Sequence, residues 1–340
     1  MPPPSFGHIR ALTGRWGIWE HARYSAPRRE HGFCTDDSAR ALVVVLRQSA
    51  IDDTAEDLAA SYMRFVTDAR TSLGHFHNRR DATGTWTDEV GSDDCQGRAW
   101  WGLGTAALLA PDPAMRDVAA DAFETSACFE SPHLRANAYA ALGAAELVRS
   151  ARRSRSAFDL LDRTSEVIAD SAGTMIPWPE VRLTYDNARI PEALITAGSV
   201  LMDRRRLSMG VRLLEWLVGV ESDGSHFSFA PVGGREPGGR RREFDQQPLE
   251  AWAMADASYR AWLATGDDKW RGRAMHAAAW LVGLNDNGTV LYDEATGGTR
   301  DGLMIASANE NRGAESTIAG VGALQIAARF GVDFRRERLI

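Results

Sequence analysis

One stretch decides the fold: DCQGRAWWGLGTAALL, residues 94–109. It opens with an acidic residue and continues with small and apolar residues on almost every side, which is typical of a helix that is buried all round. Five further stretches follow the same plan: DDSARALVVVL (36–46), SPHLRANAYAALGAAELV (131–148), DNARIPEALITAGSVL (186–201), DQQPLEAWAMADASYRAWL (245–263) and AESTIAGVGALQIAA (314–328). Six copies of one unit indicate a helical repeat architecture.

Helices of a second kind alternate with these stretches. They are more charged, have one apolar face and cover approximately residues 54–69, 114–126, 156–169, 205–220 and 269–284. Six buried helices inside an outer ring make an (α/α)6 toroid, and we expect His8–Tyr24 to supply the first outer helix. A superhelical solenoid is the alternative, but six copies without a polar terminal repeat favour closure. The sequence therefore predicts an all-α, six-hairpin toroid that occupies residues 1–340 as a single domain.

Composition excludes several classes of partner. The formal net charge is −7, from 39 basic and 46 acidic residues, whereas nucleic-acid binding requires a basic face. No stretch reaches the ~18 apolar residues of a membrane span, and the first residues have no apolar signal segment. The three cysteines are too few and too scattered for a disulfide framework. We therefore expect a cytoplasmic protein with no nucleic-acid partner and no membrane contact.

Motifs for cofactors and metals are also missing from the sequence. It contains no GxSxG and no P-loop, and GGREPGG (233–239) neither follows a strand nor opens a Rossmann helix. His75 and His77 have the spacing of a strand pair, but no partnered HExxH or CxxC supports a metal site. We expect neither a cofactor nor a metal.

Long loops precede most of the buried helices, at 71–93, 172–185, 222–244 and 285–313. They are rich in glycine, aromatic and charged residues, and parts of them have the pattern of short β-hairpins. In a toroid they all lie on the face where the inner helices begin, which we call the cup. Long loops on a rigid scaffold commonly carry function, so the cup is the predicted site.

Acidic residues collect at the cup, and we predict the catalytic acids among Glu89, Asp94, Asp186, Asp245 and Glu310. Glycoside hydrolysis needs one protonated carboxyl group to protonate the leaving oxygen and one carboxylate to activate water. Adjacent acids such as Asp93 and Asp94 repel each other, which raises the pKa of one of them. We expect Glu89 or Asp94 to work with a partner from across the ring. Helix capping, worth about 0.5–2 kcal/mol, is the alternative role for each aspartate.

Polar and aromatic residues near the same helix ends are predicted to bind the substrate. Arginine and amide side chains suit sugar hydroxyl groups, and tryptophan offers a stacking surface for sugar rings. The arginines are equally suited to neutralise the aspartates. The predicted substrate-binding residues are Asp36, Asp37, Arg40, Trp86, Arg98, His133, Trp178, Asn187, Arg189, Gln246, Gln247 and Asn311.

Five segments carry a family resemblance: TGRWGIWEHARYSAPRREHGFCTDDSARAL (13–42), WTDEVGSDDCQGRAWWGLG (86–104), YDNARIPEAL (185–194), FDQQPLEAWAMADA (244–257) and ANENRGAESTIAG (308–320). They resemble a bacterial family of six-hairpin glycosidase-like proteins, which occur alone or attached to glycosyltransferases and accompany mannoside phosphorylases. The resemblance spans about residues 8 to 328. It implies the (α/α)6 fold, a carbohydrate substrate and association with a glycosyltransferase. It assigns no catalytic pair.

The sequence thus favours a glycoside hydrolase that acts on an oligo- or polysaccharide by inversion. Two alternatives stay open. A non-catalytic glycan-binding module serving a glycosyltransferase would need only aromatic platforms and neutral donors. A carbohydrate lyase or epimerase would use a cup histidine as its base, and His31, His75, His77, His133 and His226 all lie near cup loops.

Overall fold

A computed structural model describes residues 1–49, 51–126, 129–173 and 177–336, so Cys128 lies outside the described residues. Its helices are α1 Gly7–Leu12, α2 Thr35–Leu46, α3 Asp53–Asp68, α4 Asp93–Leu109, α5 Pro113–Glu124, α6 Leu134–Arg149, α7 Arg155–Ser171, α8 Arg189–Val200, α9 Arg204–Glu221, α10 Pro248–Thr265, α11 Asp268–Trp280 and α12 Ala314–Arg336. The strands are β1 Ala22–Arg23, β2 Ala26–Pro27, β3 Phe33–Cys34 and β4 Arg79–Arg80, in two antiparallel pairs, β1 with β2 and β3 with β4.

The even-numbered helices form a closed inner ring. Each contacts the next, from α2 through α4, α6, α8 and α10 to α12, and α12 returns to contact α2. The odd-numbered helices α3, α5, α7, α9 and α11 each pack behind the inner helix that precedes them, and α1 packs on α12. This confirms the (α/α)6 toroid and removes the solenoid alternative.

Small residues let the inner helices approach closely, most clearly between α4 and α6. A Cβ atom on Gly104 would lie 2.0 Å from the Gly143 carbonyl oxygen, and one on Gly143 would lie 2.2 Å from the Trp100 carbonyl oxygen. At these two positions backbone touches backbone. The alanine and glycine content of the inner helices is therefore a packing requirement of the ring.

The starts of the inner helices differ in detail from the prediction. Cys34 and Ser92 are the N-caps of α2 and α4, and their side chains accept the N–H groups of Asp37 and Cys95. The expected aspartate caps therefore lie inside the first turn instead. Helices α8 and α10 begin three residues after the predicted starts, because a turn precedes α8 and Gln246 pairs with Pro231 and Leu303 in isolated bridges just before α10.

The prediction of a first outer helix over His8–Tyr24 is wrong beyond residue 12. The Gly14 N–H donates to the Gly17 carbonyl oxygen at 2.8 Å, and Thr13 pairs with Ile18 as an isolated bridge. Gly17 packs so tightly that a Cβ atom would lie 2.8 Å from the Phe65 ring. The chain therefore turns at the two glycines and runs along the cup face towards α2.

A buried ionic cluster fills the axis of the ring below the cup. Arg189 donates to Glu192 at 2.6 Å and to Asp256 at 2.7 Å, and Arg47 donates to Asp256 at 3.1 Å and to Glu146 at 3.0 Å. Arg260 adds a further contact to Glu146 at 3.3 Å. The axial cluster, comprising Arg47, Glu146, Arg189, Glu192, Asp256 and Arg260, joins four inner helices through groups that all need a partner once buried.

The loops on the cup face contain short turns and bridges, as expected. Residues Arg80 and Trp86 pair across one turn, and Tyr292 and Thr299 pair across another. In the described part of the chain, no helix is both long and apolar enough to cross a membrane.

The Gly143 contact can be tested by substitution. Gly143→Ala should lower the free energy of unfolding by about 1–3 kcal/mol, because the methyl group must push α4 away from α6. Gly272→Ala on α11 is the matched control, since nothing lies within 4 Å of its Cβ position. That substitution should stabilise the protein by about 0.5–1 kcal/mol. Urea unfolding followed by circular dichroism measures both, and equal effects of the two substitutions would contradict the packing account.

Candidate active site

The floor of the cup is built around Arg98, which lies in the second turn of α4. Its Nη1 donates to Asp36 on α2 at 3.0 Å, and its Nη2 donates to the Tyr139 hydroxyl on α6 at 3.0 Å. Asn78 also donates to Asp36, at 2.8 Å. Burial alone would raise the pKa of Asp36, but the guanidinium groups of Arg98 and Arg40 outweigh burial, so the pKa lies below its usual value.

A second arginine, Arg40, joins α2 to α12. It donates to Asp37 at 2.6 Å and to Glu315 at 2.8 Å. Burial raises the pKa of Asp37 to about 6, although Arg40 acts against this rise. Glu315 keeps 34% of its side chain exposed, and Arg40 and Arg98 together overcome its burial and lower its pKa. Glu315 is thus held as a carboxylate that solvent can reach.

Below Arg98, a chain of hydrogen bonds leads to the axis. The Tyr139 hydroxyl donates to Asp186 at 2.5 Å, and the backbone N–H groups of Asp186 and Asn187 donate to Glu250 at 2.5 and 3.1 Å. Asp186 has a positive φ of 50°, a conformation that aspartate tolerates better than most residues. Burial, together with the charge of Glu221, raises the pKa of Glu250 well above its usual value.

Two acids from the start of α4 border the floor. Asp94 accepts the Tyr185 hydroxyl at 2.8 Å and lies 3.8 Å from Arg98, with 17% of its side chain exposed. Asp93 instead accepts the Ser131 hydroxyl, in the loop before α6, at 2.6 Å. The two adjacent acids therefore have separate partners.

A further acid, Asp301, lies in the loop before α12. Its Oδ1 accepts the Gly313 N–H at 2.7 Å, and the residue is partly exposed. Burial is the main cause of its raised pKa, and the negative charge of Glu315 adds to it. The N-terminal segment runs alongside, because the Glu20 carbonyl oxygen accepts the N–H of Ala314, the first residue of α12.

Two histidines of that segment are in contact. The Nδ1 atoms of His21 and His31 lie 3.0 Å apart, and both residues are exposed. The Glu20 carboxylate lies 3.8 Å from His21 and also accepts a hydrogen bond from Arg79. A histidine pair with a neighbouring carboxylate can share and transfer a proton.

The structure connects only part of the predicted site. Contacts through the arginines and Tyr139 join Asp36, Asp37, Arg40, Arg98, Asp94, Asp186 and Asn187. Glu89 and Glu310 are exposed on cup loops, and neither side chain has a hydrogen-bond or ion-pair partner among the described residues. Asp245 is half-buried in the loop before α10. Among the described residues, no side-chain hydrogen bond or ion pair joins Glu89, Asp245 or Glu310 to the arginines of the cup floor, and their catalytic role stays a prediction.

Several predicted substrate-binding residues have structural partners. Trp178 is 4% exposed and stacks on Trp216 of α9, so its ring offers no surface to a sugar. Arg189 is fully buried in the axial cluster. Gln246 is also fully buried, and its side-chain N–H donates to the Asp286 carboxylate at 2.6 Å. Asn187 is likewise buried, between Arg135 and Glu250. These four side chains organise the scaffold.

The remaining predicted binding residues lie nearer the surface. Trp86 is half-buried and stacks on His77 with the ring centroids 5.3 Å apart. His133 is exposed and lies 3.9 Å from Asp93. Gln247 caps α10 without a side-chain hydrogen bond, and Asn311 accepts the Tyr24 N–H at 2.9 Å.

Two groups in the described residues bring three possible metal ligands together. The first group comprises Glu20, Cys34 and Asp37. Its two carboxylates already bind arginines, Glu20 binding Arg79 and Asp37 binding Arg40. The second group comprises Asp223, His226 and Asp286. Its Asp223 carboxylate accepts two hydrogen bonds from Arg242. Neither donor set resembles an open metal centre, because cationic side chains occupy the places that a cation would take.

Sequence reasoning missed or did not select five residues of this site: Tyr139, Tyr185, Glu250, Asp301 and Glu315. Glu250 and Glu315 lie in the first turn of an inner helix, where the acidic pattern already pointed. Tyr139 lies in the alanine-rich part of α6, at the depth where α4 has Arg98, and it accepts a hydrogen bond from that arginine. Asp301 is in a loop, and no spacing rule places it beside α12.

Comparisons with known proteins agree on the fold. No protein-family model and no curated protein matches this chain. The chain is similar to a solved sugar epimerase from a ruminal bacterium, with a TM-score of 0.70, 13% identity and 95% of each chain covered. It is similar to cellobiose 2-epimerase from Bacillus thermoamylovorans, with a TM-score of 0.70, 12% identity and 96% of each chain covered. It also resembles a GH76 α-mannanase from Bacteroides thetaiotaomicron, with a TM-score of 0.67, 11% identity, and 96% of this chain and 93% of that chain covered.

Glu221, the buried last residue of α9, makes the free energy of unfolding depend on pH. Burial raises the pKa of Glu221 to about 7 in the folded protein, against 4.5 for the exposed group. The folded state therefore holds the proton more tightly, and this contribution is complete below about pH 4.5 and lost as the pH rises through about 7. Glu221→Gln should remove that loss, making the variant more stable than wild type at pH 8 by up to about 3 kcal/mol.

Thermal unfolding between pH 4.5 and 8 measures this difference. The control is Glu56→Gln on the exposed side of α3, which should leave the pH profile unchanged. A Glu221→Gln profile parallel to that of wild type would contradict the assignment.

Proposed function

We propose that this chain is a glycoside hydrolase that cleaves an oligo- or polysaccharide in its cup. One observation supports this most directly: two solvent-accessible acids on one side of the cup have pKa values displaced in opposite directions. Asp301 has a raised pKa, and Glu315 has a lowered one. A pair of this kind divides the roles of general acid and general base.

The proposed chemistry follows from that division. In the proposed step, the Asp301 carboxyl group gives a proton to the glycosidic oxygen as the bond to the anomeric carbon breaks. Glu315, kept ionised by Arg40, takes a proton from the water that attacks the same carbon from the other face. The products are two shorter sugars with inversion at the anomeric carbon, and both acids return to their starting state by exchange with solvent.

The neighbouring groups suit a sugar substrate. Asp36 lies 3.0 Å and Asp94 3.8 Å from Arg98, so charged acceptors and a guanidinium donor lie side by side. Tyr185 is 40% exposed and also binds Asp94, which places an aromatic surface beside these hydrogen-bonding groups. An aromatic face next to directional polar groups is the usual way in which proteins hold a pyranose ring. The similar folds of a mannanase and two sugar epimerases agree with a carbohydrate substrate.

Substitution of the acids tests the proposal. Asp301→Asn and Glu315→Gln should each reduce hydrolysis of a responsive glycan about 10²–10⁴-fold, because each loses one proton-transfer step. Glu310→Gln, on the loop that carries Asp301, and Glu89→Gln, on the loop before α4, are controls that should keep activity within about twofold, since neither acid has a hydrogen-bond or ion-pair partner among the described residues. The assay is digestion of a glycan library with chromatographic detection of products, on variants with unchanged melting curves. Near wild-type hydrolysis in both Asp301→Asn and Glu315→Gln would exclude this pair.

The contact between His21 and His31 favours a second candidate, a sugar epimerase or isomerase. Such a reaction removes a proton from carbon and returns one, and adjacent imidazoles can perform both steps. If it operates here, His21→Asn and His31→Asn should each abolish conversion of a reducing sugar while leaving the fold intact. His276→Asn, on outer helix α11, is the matched control. Conversion by both single variants at the wild-type rate would remove this candidate.

A further inference from the structure

A large cavity opens on the face opposite the cup. It has a volume of about 740 Å³ and lies where α6 and α8 end, between α9 and α10. Ile195, Leu207 and Leu263 supply apolar wall, and Arg149, Arg204 and Arg260 also line it. Cavities of about 300–1,000 Å³ with an apolar wall and a few polar groups are the usual size of small-molecule sites.

The charge of this cavity is unlike that of the chain as a whole. The protein carries a formal net charge of −7, yet none of the described residues that line the cavity is acidic. Arg149 and Arg204 are exposed, and neither guanidinium group has an ion-pair partner among the described residues. Two unneutralised guanidinium groups at the edge of an apolar pocket raise the local concentration of anions.

Arg260 differs from the other two arginines because it also belongs to the axial cluster. It donates to Glu146 at 3.3 Å and lies 4.0 Å from Glu192, with 17% of its side chain exposed. The cluster itself has three arginines and three acids, so Arg260 is already balanced. The free positive charge therefore belongs to Arg149 and Arg204, and Arg260 forms the inner wall.

We propose that this cavity binds a small phosphate monoester, with the phosphate group at Arg149 and Arg204 and the organic part against the apolar wall. A phosphate monoester carries about −1.5 to −2 charges at pH 7, which matches two unpaired guanidinium groups. Arginine also binds phosphate oxygens through two parallel N–H donors. A carboxylate has half the charge and is the weaker candidate. The site is separate from the cup, so this inference does not depend on the proposed function.

Titration calorimetry with phenyl phosphate tests the site, since a ring without sugar hydroxyl groups avoids binding in the cup. We expect one molecule bound per chain, with affinity that falls as salt is added. Inorganic phosphate, which lacks the organic part, and benzoate, which carries one charge, should each bind more weakly. The double variant Arg149→Gln with Arg204→Gln should weaken phenyl phosphate binding about tenfold or more, because two charge-assisted contacts are lost.

Arg64→Gln is the matched control, an exposed arginine on α3 at the other side of the ring. It should bind phenyl phosphate as wild type does. Absence of binding at millimolar phenyl phosphate would overturn the proposal, and so would equal binding by the double variant and wild type. Leu263→Asp, which adds a negative charge to the exposed edge of the wall, gives a second test and should also abolish binding.

Discussion

The structure depends on one constraint: guanidinium groups buried along the axis of a helical ring must each find carboxylates on other helices. Arg40 and Arg98 meet this need at the cup floor, and Arg47 and Arg189 meet it below. A buried charge that loses its partner costs about 3–5 kcal/mol. The arginines therefore fix the rotation of the inner helices, and they also determine which acids face the axis.

This constraint separates structural acids from available ones. Asp37, Asp186 and Glu250 are buried and bound to groups of the scaffold. Glu315 also binds an arginine but stays partly exposed, whereas the Asp301 carboxylate accepts the backbone N–H of Gly313 just before α12. An acid that the arginines hold ionised and an acid that they do not reach have different affinities for protons. The proposed chemistry uses that difference.

The architecture could be predicted from the sequence because it rests on periodicity. Helices that are apolar all round alternate with helices that have one apolar face, and this pattern shows which helices are buried. The doubled acids mark where inner helices begin. The choice among acids could not be predicted in the same way. Glu89 and Asp94 are similar in sequence context, but only Asp94 lies near Arg98, and Trp178 stacks on a helix that is distant in sequence. Such pairings are set by tertiary contacts. Cytoplasmic location and association with a glycosyltransferase stay predictions.

The most direct test of the central claim is to incubate the protein with a panel of oligosaccharides in D₂O and to analyse the products by mass spectrometry. Hydrolysis splits one sugar into two and places no deuterium on carbon, because the anomeric carbon exchanges one oxygen for that of water and deuterium is added only to oxygen. We predict shorter products without carbon-bound deuterium. Products of unchanged length that gain one carbon-bound deuterium would contradict hydrolysis and identify an epimerase or isomerase instead.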